Sequence, residues 1–234
     1  MDATPPPTRR NFHGRRHGKA LKPNQRLWLD EDLPRLAIPA VAPRDNPTRD
    51  PLDPATLFDD DRPLWLEVGF GGGEHMVHQA RTNPEIGLIG VEIFINGVAM
   101  ALGKIRAAGV TNIRLHPGDV RDLMELLPAA CLARAFLLYP DPWPKARHHG
   151  RRFVTPEHLA PLARLLARGA EFRVATDIPD YVRQTLEEVP GAGFELLTDP
   201  ADRHRPWADW HRTRYEAKAL REGRNPHYLT FRRT

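Results

Sequence analysis

Glycines and carboxylates crowd together in Glu67-Val68-Gly69-Phe70-Gly71-Gly72-Gly73-Glu74, between an apolar run and a helical pattern. Open α/β sheets take nucleotides at such a junction, and glycines let the backbone come close to the ligand. Charge decides which nucleotide. A dinucleotide fingerprint G-x-G-x-x-G begun at Gly69 requires glycine at position 74, and glutamate stands there. An acid in the first helical turn repels the pyrophosphate that a helix N-terminus otherwise attracts. A P-loop fails as well, because no Gly-Lys-Ser/Thr follows. S-adenosylmethionine carries an ammonium and a sulfonium and no phosphate, so nearby acids stabilise it. Glu67, Gly69 and Gly71 are therefore candidate cofactor contacts. Glu92, 25 residues beyond Glu67, stands where an acid accepts ribose hydroxyls in related sheets, and Asp119 could take the adenine amino group. Either acid alone could be a helix cap or a surface group; their order after successive strands is what favours a ligand.

Tyr139-Pro140-Asp141-Pro142-Trp143-Pro144-Lys145 is the second chemical stretch. Three prolines in five residues fix φ at alternate positions and push Asp141 and Trp143 toward extended backbone, which stiffens the loop. A stiff loop at the carboxyl end of a strand positions chemistry. This one presents an acid, an indole and an ammonium together. Basic residues follow from Lys145 to Arg152 and again over 203–233, the latter among Trp207, Trp210, Tyr215 and Tyr228. Cations that meet phosphates, interleaved with rings that stack on bases, suit a nucleic-acid surface. A third basic run, Arg9 to Lys22, contains no acid.

The elements that hold these stretches are legible from texture. Residues 1–60 are proline-rich with no sustained period and read as a basic arm and lead-in; residues 61–234 read as one domain with a C-terminal substrate-binding segment. Apolar runs alternate there with helical patterns, the signature of βα units and a largely parallel sheet. Strands are expected at 64–68, 87–93, 113–116, 135–139 and 172–176, with closing strands at 194–198 and 228–232. Helices are expected at 74–81, at 180–189, and along the stripe Ile95, Val98, Leu102 and Ile105 up to Gly109. Another is expected to open at Thr155-Pro156-Glu157, with Thr155 as its cap.

Composition sets the outer limits. The chain has 234 residues, 41% apolar and 27% charged, enough for one domain with a real core. Net charge is +4, which permits nucleic acid without demanding it. Cys131 is the only cysteine, so internal disulfides and multi-cysteine metal sites are excluded and a reducing, cytoplasmic setting is expected. The eleven histidines show no metal-ligand spacing, and no metal is expected. No run approaches the roughly 18 apolar residues of a membrane span. Neither a membrane nor an obligate protein partner is expected.

The Glu67–Glu74 turn, Val91-Glu92, Gly118-Asp119, the Pro140–Lys145 loop with Arg147-His148 and Arg151-Arg152, Ala175-Thr176-Asp177, and Thr213-Arg214-Tyr215-Glu216 together resemble the bacterial tRNA (guanine-N7-)-methyltransferases. The resemblance runs from about residue 60 to the C-terminus. It implies a Rossmann-like class I methyltransferase fold, with a mostly parallel seven-stranded sheet and helices on both faces. It further implies S-adenosylmethionine as donor and a guanine in the variable loop of tRNA as acceptor. Carried over by position, the cofactor residues are Glu67, Glu92, Asp119 and Asp141, and Asp141 is the catalytic candidate. Lys145, Asp177, Thr213, Arg214, Tyr215 and Glu216 would bind substrate; Arg147, His148, His149, Gly150, Arg151 and Arg152 would touch RNA. Departures from the family pattern are Tyr139 in place of phenylalanine, the extra glycines Gly72 and Gly73, and residues 218–224.

Guanine N7 has an in-plane lone pair and no proton, so its methylation needs alignment with the sulfonium methyl more than a general base. A carboxylate at Asp177 or Asp141 can accept from guanine N1–H and N2–H₂, a donor pair that adenine lacks. Trp143 or Tyr215 could stack on the base. Thr213 and Glu216 also form a capping-box pattern ahead of a helix, a structural role that does not exclude substrate contact, since a capped helix start can still face a ligand. Trp207 and Trp210 read as core rings. Two rival readings stand beside this one: a methyltransferase for a small molecule or protein, and an RNA-binding module on an inactive fold.

Overall fold

The computed structural model describes residues 14–234; Arg9, Arg10 and His13 of the basic run lie outside the described residues. Strand β1 (Leu64–Val68) is buried at every position, as a strand covered on both faces must be. It pairs in parallel with β2 (Gly87–Val91) on one side and β4 (Leu132–Leu138) on the other. Beyond β2 lies β3 (Ile113–His116), and beyond β4 lies β5 (Leu166–Thr176), both parallel. Then β7 (His227–Arg233) inserts antiparallel between β5 and the edge strand β6 (Phe194–Leu196). The order is β3-β2-β1-β4-β5-β7-β6, the seven-stranded, mostly parallel sheet that the sequence implies.

Helices cover both faces. Alternation along β1 sends Trp65 into a core with Met76, Val77 and Ala80 of α3 (Glu74–Thr82) and Val98, Leu102 and Ile105 of α4 (Ile95–Ala108). It sends Leu66 and Val68 to the opposite core, with α5 (Val120–Leu126), α6 (Pro156–Leu165) and α7 (Pro179–Gly191). Val98, Leu102 and Ile105 of the expected α4 stripe are buried and Ile95 half-buried, and the helix stops at Gly109, whose φ of +64° is the left-handed conformation that ends helices. Thr155 does sit at the start of α6, but its hydroxyl lies 2.9 Å from His158 Nδ1 and caps no backbone group.

Two helices were not legible in advance. The short α5 is opened by Asp119, whose carboxylate accepts from Arg121 N at 2.9 Å. The proline-rich lead-in holds α1 (Pro23–Glu31) and a further turn, α2 (Leu33–Leu36). Helix α1 docks on α4 through Trp28, which lies over Gly103 so closely that a Cβ there would sit 2.5 Å from the indole. Its apolar residues Leu27, Trp28 and Leu29 are consecutive, so no helical stripe appears in the sequence.

Candidate active site

Chain order reverses across the sheet between β1 and β4, and ligands of open α/β sheets bind at such a switch point. The carboxyl ends of these strands open there into a cavity of about 730 Å³, within the range of small-molecule sites. Gly69, Gly71, Glu92, Asp119, Asp141 and Tyr215 all line it. Glu92 accepts from Gly71 N at 2.7 Å and from Phe94 N at 2.9 Å. Burial pushes its carboxyl above the ordinary range against those two bonds, and the nearby Asp141 charge adds to the shift. Asp141 is open to solvent by surface area, yet the surrounding protein desolvates it enough to raise its pKa as well. Two carboxylates facing one cavity, each resisting its own charge, are stabilised by a cation placed between them.

The proline loop departs from the extended conformation expected for it. Trp143 has φ +41° and Tyr139 φ +49°, although each directly precedes a proline. Such backbone costs about 1–3 kcal/mol per residue and persists only where neighbours impose it. Tyr139 N donates to Ala175 O at 2.7 Å, extending β4 against β5. Trp143 is held by Arg152, one of the expected RNA contacts, whose side chain is in fact buried. Its guanidinium donates to Pro142 O (2.9 Å), Trp143 O (3.3 Å) and Gln184 Oε1 (2.9 Å), pairs with Asp180 Oδ2 (2.9 Å) and lies over the Tyr181 ring. It is therefore committed to the protein and does not face RNA. His149 likewise turns inward, with Nε2 3.1 Å from Asp180, and His148 packs edge-on against Trp143. Arg147, Gly150 and Arg151 are exposed, and the Arg151 guanidinium lies over the Trp143 ring. Lys145 is exposed at the loop's end.

Three acids near the glycine turn are engaged elsewhere. Glu67 is buried on the α3 face, because alternation turns it away from Val68, and its carboxylate meets His75 Nδ1 at 2.6 Å. His75 lies 3.2 Å from Gln79 Nε2, which also donates to Asp209 O. Glu74 pairs with Lys104 at 3.2 Å. Neither Glu67 nor Glu74 lines the cavity; its acids are Glu92, Asp141, Asp119 and Glu157, the last two paired with Arg121. Asp119 is at the wall, but its carboxylate caps α5 and pairs with Arg121 at 2.6 Å; the adenine role expected for that side chain competes with both.

The C-terminal set divides the same way. Thr213 caps α8 (Arg214–Arg221), accepting from Glu216 N at 3.2 Å. Glu216 does not close the reciprocal half of the box. It is buried, accepting from Trp210 Nε1 (2.7 Å) and Tyr228 OH (2.5 Å), and so does not reach the cavity as a substrate contact. Trp207, Trp210 and Tyr228 pack edge to face with centroids 5.4–5.5 Å apart, as core rings. What α8 brings to the cavity is Tyr215, laid over Gly71: a Cβ on that glycine would be 2.9 Å from Tyr215 Cε2. The Arg214 guanidinium lies over the Tyr215 ring. Asp177, at the end of β5, is buried and paired with Arg224, which also pairs with Glu222. Missed in the sequence were Phe94, Gly14 and Arg15, which also line the cavity. The basic run containing Arg15 was visible; nothing in it indicated where it docks.

Comparison with known proteins defines the class first. The family described as "Putative methyltransferase" matches residues 61–229. A crystal structure of the 16S rRNA methyltransferase KamB shares the fold at 18% identity and a TM-score of 0.55, over 76% of this chain and 91% of that one. The fold and the match place the chain among Rossmann-like class I methyltransferases. Within that class, the tRNA (guanine-N(7)-)-methyltransferase of Ruegeria pomeroyi is 71% identical over 98% of this chain and 97% of its own length. That of Paracoccus denitrificans is 68% identical over 98% and 97%. The chain belongs to the tRNA (guanine-N(7)-)-methyltransferase family.

Proposed function

We propose the following division of labour within an enzyme that uses S-adenosyl-L-methionine to methylate guanine N7 in tRNA. Near-identity of length with relatives at 68–71% identity supports the reaction itself. The observation that carries the site reading is the pair of desolvated carboxylates, Glu92 and Asp141, facing one cavity at the switch point.

When bound, the donor supplies an electrophilic methyl group on a sulfonium. Glu92, fixed by Gly71 N and Phe94 N, would hold the ribose hydroxyls, and the Gly69–Gly71 turn would admit the methionine end. Asp141 would stabilise positive charge near the reacting atoms and orient the base. Trp143, set by Arg152, and Tyr215 would form the walls between which the guanine slides. Asp177, at the end of β5 and paired with Arg224, would accept from the guanine edge. Arg147, Arg151 and Lys145, exposed on one loop, would meet phosphates flanking a guanine in the variable loop of tRNA.

The test uses the purified chain alone, with unmodified bulk tRNA and methyl-labelled donor, followed by mass identification and sequence mapping of the modified nucleoside. The reading expects 7-methylguanosine in the variable loop, and at least a hundredfold slower formation by Asp141→Ala with tRNA affinity retained. Full activity of that variant would overturn the role given to Asp141.

A further inference from the structure

Residues 14–19 run across the rim of the cavity. Gly14 and Arg15 form part of its wall. The segment is fixed by the start of α4: Gly18 N donates to Asn96 Oδ1 at 2.7 Å, Asn96 Nδ2 donates to Lys19 O at 2.7 Å, and Ile95 N donates to Arg16 O at 3.0 Å. Gly18 is pressed against the same place, where a Cβ would sit 2.8 Å from Phe94 Cζ. Residues 15–20 are all exposed, so no apolar burial anchors the strap. A few hydrogen bonds of modest net worth oppose the backbone freedom of the whole segment, which leaves its docking balanced. Gly14 and Arg15 meet the cavity, while Arg16 and Lys19 are exposed to solvent. The stretch that anchors it, 92–96, also holds the Glu92 carboxylate through Phe94 N.

We propose that Asn96 is a positioning residue: it holds residues 14–19 as a removable wall of the donor cavity, so that donor and tRNA backbone bind opposite sides of one segment and each tightens the other. The inference rests on the cavity being the donor site. Ordering the strap by phosphate contact spares the donor that cost, and linkage makes the effect reciprocal.

Calorimetry on the full chain with S-adenosylhomocysteine, with and without tRNA, tests it. In the wild type, saturating tRNA should tighten S-adenosylhomocysteine by about fivefold or more, and S-adenosylhomocysteine should tighten tRNA by the same factor. Asn96→Ala should weaken S-adenosylhomocysteine about tenfold and bring the coupling below about twofold. It should also expose Arg15, Arg16 and Lys19 to trypsin at a rate that the ligand no longer slows. Gly18→Val, whose side chain would meet Phe94 and Asn96 Oδ1 and push the strap away, should do the same and serves if Asn96→Ala fails to fold. Wild-type affinity, coupling and trypsin protection in a folded variant would overturn the proposal. Absence of S-adenosylhomocysteine binding to the wild type would instead overturn the donor-site reading beneath it.

Discussion

The buried Arg152 guanidinium lies 3.3 Å from the Trp143 carbonyl and holds in the left-handed region a residue that precedes a proline. The same side chain ties that loop to Asp180 and Gln184 of α7, so the rim of the site is braced by one cation.

Arg152→Ala should therefore lower stability by about 3 kcal/mol, through lost charged hydrogen bonds around a buried group. That corresponds to a melting temperature lower by about 6–12 °C. Turnover should fall about a hundredfold or more as Trp143 relaxes, because small misplacements cost rate steeply. The salt dependence of tRNA binding should stay unchanged, because the guanidinium meets no phosphate. Arg152→Lys, which lacks the planar fork, should restore little turnover. A flattened salt slope in Arg152→Ala would show that the residue faces RNA after all.

Donor binding should depend on pH through Glu92 and Asp141, both raised by burial. A carboxyl with a raised pKa holds its proton to higher pH than an ordinary one, and only the ionised group attracts a sulfonium. Affinity for S-adenosylmethionine should thus climb with pH through the raised values and then level, by up to about tenfold per pH unit for each carboxyl that must ionise. S-adenosylhomocysteine, which lacks the sulfonium charge, should show a shallower climb. Glu92→Gln should bind both more weakly and flatten the profile, read by calorimetry from pH 5 to 8. The unliganded fold runs the other way: it holds the Glu92 proton more tightly than the unfolded chain, so this group's contribution to stability falls as pH rises through the same window.

His116 is buried, with Nε2 lacking a hydrogen-bond partner among the described residues, and burial pushes its pKa down to about 4. Its folded value lies below the unfolded one, so the unfolded chain takes up the proton first as pH falls. The corresponding stability is complete above about pH 6.5 and lost on the way to pH 4, by about 3 kcal/mol. Denaturant titrations at pH 7 and pH 4.5 should show this loss, and His116→Gln should abolish most of the difference.

Glu216→Ala should lower stability by about 2–4 kcal/mol, since it strands the Trp210 and Tyr228 donors in a buried site. Tyr228→Phe combined with Trp210→Phe, which removes both donors and strands the carboxylate instead, should lower stability comparably. If Glu216→Ala instead kept the wild-type melting temperature and raised only the KM for tRNA, direct substrate contact would be the correct account.

The parts of the fold read from the sequence were those with one dominant cause. Strands β1, β2 and β4 are mostly apolar because their faces are largely covered, and α4 carries an uninterrupted stripe to Gly109. Helix α5 escaped because its cap, Asp119, looked like a ligand contact, and both roles call for the same residue type. Of the residues expected at the site, Gly69, Gly71, Glu92 and Asp141 are among those that line the cavity. The site was misread where direction mattered: Glu67, Glu216 and Arg152 have the right chemistry, but alternation and packing turn them inward. Sequence shows that a charge is present; only packing shows whether it meets water, ligand or another side chain.

Gly71 has no room for a side chain because the Tyr215 ring rests on its α-carbon. Two stretches from opposite ends of the domain therefore cannot drift independently over evolutionary time. A methyl group at Gly71 meets two obstacles, the ring and a φ of +56° that side-chain-bearing residues rarely adopt, so trimming the ring removes a wall of the cavity without admitting the methyl. Descendants of this chain are expected to keep glycine there.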